Sequence, residues 1–297
     1  MEDKGRLGKP WIGAIVVLMA ASLFATSGTI IKHLVQGCSL QPLTVAAVRI
    51  SLAALILFGL LGALDRKQLH IEVHDVPFFL LFGLVCVALF QTCWVYAVSL
   101  IDVGVATVLN YTAPAWTAVF AWPFLGERIN QCKGIALVLT AAGVALVMRI
   151  FDMRFFSLNL AGLLWGLGSG VTYGLYGIFG RRALRRYSSW TTLAYTFAAG
   201  ALFLLVTQPM ERIMSAFARP DAMIWLVILT LVPTLGGYAL YTFGLRFLEA
   251  TEAAILASIE PVMAAVWAAI FLGERLSWPQ VVGAGLVIAG VIVLHLR

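Results

Sequence analysis

The sequence predicts an all-α integral membrane protein with ten transmembrane helices arranged as two inverted five-helix repeats. Three observations carry this: an apolar composition, a chain of long apolar runs, and an internal duplication. Of 297 residues, 62% are apolar and only 11% charged, and the mean hydropathy is +0.97. A water-soluble domain carries about 25% charge, so lipid must solvate much of this surface. Residues 114–128 read PAWTAVFAWPFLGER and residues 261–275 read PVMAAVWAAIFLGER, nine of fifteen identical at an offset of 147. A unit that repeats inside membrane-length apolar stretches is a block of transmembrane helices.

Charge, Pro and polar clusters divide the chain into spans at 11–36, 40–64, 76–99, 103–125, 131–149, 158–180, 189–208, 222–246, 250–272 and 277–296. The first run has a basic start but is too long for the core of a signal peptide, so it reads as a retained span. Connections such as 36–40 and 100–103 are too short to hold soluble domains. The duplication divides the chain into residues 1–150 and 151–297. A weaker echo pairs Gly13, Gly28 and Lys32 with Gly162, Gly177 and Arg181 at an offset of 149.

With the N-terminus in the cytoplasm, thirteen Lys and Arg residues between Lys4 and Arg297 fall on that side. Five fall outside: Arg149, Arg154, Arg212, Arg219 and Arg275. The asymmetry orients both termini inward. Five helices per copy is an odd number, so the second copy enters upside down, with Arg128 inside and Arg275 outside. Inverted copies supply two near-equivalent conformations around a midplane site, the basis of alternating access. The net charge of +6 is a topology signal of this kind, which excludes nucleic acid as a partner and leaves membrane lipid as one. The expected location is a bacterial inner membrane.

Several features are absent. Cys38, Cys86, Cys93 and Cys132 have no metal-type spacing and read as packing residues. The chain lacks a phosphate loop, a His-Glu-x-x-His helix and paired catalytic carboxylates, so neither an ATP-driven pump nor an enzyme is expected, and no cofactor or metal is implied. His70 and His74 are spaced i, i+4 but lack further ligands and read as solvated loop residues. The arginines at 181, 182, 185 and 186 read as an anchor to anionic lipid.

Polar residues inside the spans mark a candidate site. Span 4 carries Thr107, Asn110, Tyr111, Pro114 and Thr117 on one helical face. Span 6 carries Trp165, Ser169, Thr172 and Tyr176, with Tyr173 alongside, next to a packing ridge of Gly162, Gly166, Gly170 and Gly174. Trp94 and Tyr96 in span 3, Tyr238 in span 8 and Ser258 in span 9 complete the substrate-contact candidates; the alternative is interhelical glue for the stripes of spans 4 and 6 and interface anchoring for Trp94, Tyr96 and Tyr238. Pro233 with Gly236 and Gly237 predicts a kink in span 8. Arg49 and Glu260 lie about 14 Å deep, near the midplane of a ~30 Å core, and intramembrane charges are functional candidates. With Pro114 and Pro261 they form the coupling or gating set. The alternative for Arg49 and Glu260 is a structural ion pair.

The paired Leu-Gly-Glu-Arg exits, Glu260-Pro261 and Ala46-Ala47-Val48-Arg49 resemble the drug/metabolite transporter superfamily, in its EamA-type ten-helix branch, over essentially the whole chain. The resemblance implies secondary transport of small metabolites, commonly export, through a cavity built by helices 1, 3, 4, 6, 8 and 9. Members with many aromatics near that cavity include YddG-type amino-acid exporters. The first copy departs from the second by having Ala113-Pro114 where the second has Glu260-Pro261. The implied function is export of amino acids, including aromatic or apolar ones, with a proton as a candidate coupled ion through Glu260. A facilitative channel, an exporter of another metabolite or drug, and an intramembrane enzyme are the alternatives.

Overall fold

The computed structural model describes residues 9–150, 159–272 and 276–295. Helix dominates and no strand occurs among them. The N-terminal half contains α1 (Pro10–Phe24), α2 (Ser27–Lys32), α3 (Pro42–Leu64), α4 (Val76–Gly83), α5 (Phe90–Leu100), α6 (Val103–Asn110), α7 (Ala113–Leu125) and α8 (Gln131–Val147). The C-terminal half contains α9 (Leu160–Ala183), α10 (Ser189–Val206), α11 (Met210–Phe217), α12 (Pro220–Leu229), α13 (Tyr238–Gly244), α14 (Ala250–Ala257), α15 (Glu260–Leu272) and α16 (Trp278–His295).

Six runs among the described residues are long and apolar enough to cross a membrane: Pro10–Gly37, Pro42–Leu64, Val73–Leu100, Ser189–Val206, Pro220–Gly244 and Ala250–Ile270. Gln131–Val147 and Trp278–Leu294 are shorter apolar helices. Exposed apolar side chains such as Leu55, Leu64, Val138 and Val206 form the outer surface, as expected where lipid and not water is the solvent.

Irregularities recur at matching places in the two halves. A π-helical stretch, Leu84–Leu89, joins α4 to α5, and another, Thr230–Gly237, joins α12 to α13. The second contains Pro233, so the kink expected there takes the form of a π-helical widening, which accommodates a residue that cannot donate a backbone hydrogen bond. Tyr111–Thr112 breaks α6 from α7, and Ser258–Ile259 breaks α14 from α15, again 147 residues apart.

Close packing rests on small residues. The Gly162, Gly166, Gly170 and Gly174 ridge of α9 faces the first half: a Cβ on Gly166 would meet Leu109, and one on Gly174 would lie 2.7 Å from the Ala113 carbonyl. Thr117 hydroxyl lies 2.9 Å from the Gly174 carbonyl and reinforces that contact. α8 and α16 approach so closely that a Cβ on Gly143 would stand 2.6 Å from the Gly283 carbonyl, and the reverse. Gly143→Val is therefore expected to destabilise by about 1–3 kcal/mol through overpacking. Gly134→Val on the same helix has open space around it and serves as the control. Equal melting temperatures for the two variants in detergent would contradict this packing.

The loop between α3 and α4 is tied to the C-terminal half. Tyr187 hydroxyl donates to Asp75 Oδ2 at 2.6 Å and Arg186 Nη1 lies 3.2 Å from the same oxygen. The Tyr187 hydrogen bond holds the Asp75 carboxyl below the usual carboxylate range, with Arg186 adding to it. Glu72, His74 and Asp75 come together, but Arg186 Nη1 already reaches His74 Nε2 at 2.9 Å and supplies the positive charge there. His70 stands outside this group.

Candidate functional site

A cavity of about 510 Å³ lies among α1, α3, α5, α6, α9, the Thr230–Gly237 stretch, α13 and α15. Its aromatic wall is Phe24, Phe90, Trp94, Tyr111, Tyr173 and Tyr238. Its polar lining includes Arg49, Gln91, Thr107, Asn110 and Glu260, with Pro261 beside the last. Toward one end the wall is completed by Val103, Arg149 and Gln280. This composition, largely apolar with a few convergent polar groups, suits a small amphipathic ligand.

Helix breaks place the key side chains. Glu260 is the first residue of α15, where unpaired backbone N–H groups and the helix dipole favour a carboxylate. Tyr111 caps the C-terminus of α6 at the matching break, and its hydroxyl interacts with the Glu260 carboxylate. Tyr173 is also within electrostatic range of Glu260. Arg49, in mid-α3, forms none of the ion pairs found among the described residues. A structural Arg49–Glu260 pair is therefore not the arrangement in this conformation.

Of the residues singled out from sequence, Trp94, Asn110, Tyr111, Tyr173, Tyr238, Arg49, Glu260 and Pro261 border this cavity. Five do not: the substrate-contact candidates Tyr96, Thr172, Tyr176 and Ser258, and Pro114 of the coupling or gating set. Tyr96 is 46% exposed and stacks on Trp165 with ring centroids 5.1 Å apart, on the outer face of the α5–α9 contact. Thr172 returns its hydroxyl to the Gly168 carbonyl at 2.8 Å, and Ser258 returns its own to Ala254 at 3.2 Å. Tyr176 is buried, with its hydroxyl 3.0 Å from Thr242 Oγ1. Pro114 is buried in the first turn of α7. Thr172 and Ser258 thus bond within their own helices, Tyr176 bonds across to α13, and Tyr96 and Pro114 are held by packing.

A second cluster lies at the far end of α7 and was not singled out from sequence. Gly126, with φ +72°, ends α7 in the left-handed region, which glycine adopts without strain. The turn aims Glu127 at the N-terminus of α14. Glu127 Oε1 accepts from Ala250 N–H at 2.7 Å, and Oε2 accepts from Thr251 N–H at 3.1 Å and Thr251 hydroxyl at 2.8 Å. Arg181 Nη1 stands 4.0 Å from Glu127 Oε1 and also donates to the Leu248 carbonyl. Lys133, 2% exposed, pairs with Glu249 and reaches the Arg128 carbonyl at 3.3 Å. The only sequence signal for Glu127 was its recurrence in both exits. The hydrogen-bond partner lies 123 residues away, beyond any local pattern.

The EamA-like transporter family model matches residues 11–149 and again residues 160–296. The chain belongs to the EamA-like transporter family. It is a membrane transporter. An uncharacterized transporter of Archaeoglobus fulgidus is 26% identical, with 95% of each chain covered. The uncharacterized inner membrane transporter YicL of Salmonella typhimurium is 25% identical over 98% of this chain and 97% of its own. A probable terminal-alkyne amino-acid exporter of Streptantibioticus cattleyicolor is 28% identical over 97% of this chain and 93% of its own. A solved crystal structure superposes with a TM-score of 0.78 at 17% identity, covering 97% of this chain and 98% of that one, which is a likeness of fold.

Proposed function

We propose that this transporter exports small amphipathic metabolites, amino acids with aromatic or apolar side chains foremost, by alternating access around the cavity. The single observation that carries the substrate class is the cavity's make-up. Opposite charges at Arg49 and Glu260 stand apart without pairing, within a wall of six aromatic rings. A zwitterion with an apolar side chain complements both features. The exporter relative from Streptantibioticus cattleyicolor agrees in substrate class.

The mechanism we infer uses ten spans in two inverted halves, residues 1–150 and 151–297, with both termini cytoplasmic. The π-helical stretches and helix breaks at matching positions support the repeat, and discontinuous helices at a midplane site are common in such transporters. In this orientation the rim with Val103 and Arg149 faces outward, while the Glu127–α14 tie seals the cytoplasmic end. Single cysteines at Arg128 and Ser277, in a background lacking the four native cysteines, test the inversion. An impermeant thiol reagent applied outside is expected to modify only the second; modification of both from one side would sink the inverted arrangement.

Transport is tested by reconstitution into vesicles with labelled amino acids, nucleosides and sugars. Amino-acid flux at carrier rates is the expected result; flux of another class alone, or flux at channel rates, would replace this reading. Trp94→Ala and Tyr111→Ala are expected to weaken the transported substrate's affinity about tenfold or more, on the scale of a lost aromatic contact. Tyr96→Ala, on the outer face, should leave it unchanged. Equal effects from all three would remove the cavity from the reading.

A further inference from the structure

Arg49 is 8% exposed, borders the cavity, and has no hydrogen-bond partner for Nε. No carboxylate among the described residues lies within ion-pair distance of it. A guanidinium desolvated within a membrane span and left without a counter-anion is costly to keep. Its planar fork matches a carboxylate bidentately. On the same side of the cavity, α5 packs against α3 and carries Gln91, 3% exposed, whose Nε2 is likewise unpartnered. Asn110 Oδ1, also on the cavity wall, is the third orphan.

The two amides can turn either atom toward a ligand, whereas a guanidinium only donates. Arg49 therefore decides the polarity of the α3–α5 wall. Glu260, held at the start of α15 beside Tyr111, gives the opposite polarity. Tyr238 is within electrostatic range of both Arg49 and Glu260, so the two charges face one shared volume.

We propose that Arg49 and Gln91 form a carboxylate subsite, which orients the substrate with its acid group on the α3–α5 wall and its ammonium toward Asn110 and Glu260. This rests on reading the cavity as an amino-acid site and adds to it a direction and a required functional group. A substrate lacking the acid leaves Arg49 uncompensated, so the amide and the decarboxylated amine of the same compound are poor ligands. Arg49 is then a specificity-determining residue.

The test is binding to the full-length protein in lipid nanodiscs, read by calorimetry, for phenylalanine, its primary amide, phenethylamine and 3-phenylpropionate. Wild-type protein is expected to bind phenylalanine at least tenfold more tightly than its amide and phenethylamine, and more tightly than 3-phenylpropionate, which keeps the acid for Arg49 but brings no ammonium to Glu260. Arg49→Gln should bring acid and amide within about twofold, Arg49→Lys should keep part of the preference, and Gln91→Leu should narrow it. Acid and amide binding equally to wild type, or Arg49→Gln retaining the full preference, overturns the subsite. If Arg49→Gln does not fold, the wild-type series and Arg49→Lys decide. Binding of 3-phenylpropionate through Arg49 without binding of phenylalanine would keep the subsite and remove the amino-acid reading. Amino-acid transport with an unchanged acid-to-amide ratio in Arg49→Gln would do the reverse. No binding by any of the four ligands overturns both.

Discussion

Glu127→Ala is expected to lower the melting temperature in detergent by about 5–10 °C and to open the end of the molecule where α7 meets α14. Glu127 is 8% exposed, and its carboxylate accepts three hydrogen bonds from Ala250 and Thr251. Removing it strands two buried backbone donors at a helix N-terminus, where the dipole compounds the loss, and takes the carboxylate from beside Arg181. Stranding a buried donor costs about 1–3 kcal/mol, and the Arg181 contact, at 4.0 Å with Arg181 part-exposed, adds little. A loss of about 3 kcal/mol in a chain of this size corresponds to the stated change.

The same loss acts on the transport cycle if the tie exists in only one of two conformations. A shift of about 3 kcal/mol changes a conformational ratio roughly a hundredfold. Cysteines placed at Leu248 or Ala253, both buried, should become reactive to a cytoplasmic thiol reagent in Glu127→Ala and stay protected in wild type. Glu127→Gln keeps an acceptor oxygen and should fall between them. A variant that matches wild type in both melting and labelling would show that the contact is incidental to closure.

Helix was legible in the sequence because apolar runs of membrane length, with Pro and charge at their ends, admit few other structures in lipid. Pro10, Pro42 and Pro220 each stand at the first position of a helix, where a missing N–H costs nothing. The breaks were less legible. Neither Tyr111–Thr112 nor Ser258–Ile259 contains Gly or Pro, although Pro114 and Pro261 follow within three residues, so spans 4 and 9 look continuous in sequence. Placing Glu260 in mid-helix followed from that, whereas it occupies a helix start.

The candidate site was legible where a residue's partner is the cavity, and illegible where another helix supplies it. Tyr111 and Tyr176 have similar sequence surroundings, each on a polar helical stripe. Tyr176 is taken by Thr242 of α13, and only the assembled bundle reveals that. Phe24 lines the cavity without any polar pattern on α1 to mark it. Glu127 illustrates the converse: a turn residue in sequence becomes a buried acceptor once α14 is brought to it.

Glu260→Gln is expected to fold normally and to transport at least tenfold more slowly. Glutamine keeps the size of the side chain and an acceptor oxygen for Tyr111, so the start of α15 remains filled. It loses the negative charge that would hold a substrate ammonium or a proton, and a charge-assisted hydrogen bond is worth about 1.5–3 kcal/mol, a factor of roughly 10–100. Because Arg49 does not pair with Glu260, no charge is stranded by the change, and Arg49→Met should give no rescue of stability in the double variant. Their effects on melting should add within about 0.5 kcal/mol, as for uncoupled sites. The pH profile separates the two roles left for the carboxylate. If Glu260 carries a proton in each cycle, wild-type transport varies with pH and the variant's profile is flat. If it only holds the substrate's ammonium, the variant loses affinity and its remaining pH dependence follows the substrate. Full activity with an unaltered pH profile in Glu260→Gln would exclude both roles and make an ion-independent facilitator, driven by the substrate gradient alone, the better account of this cavity.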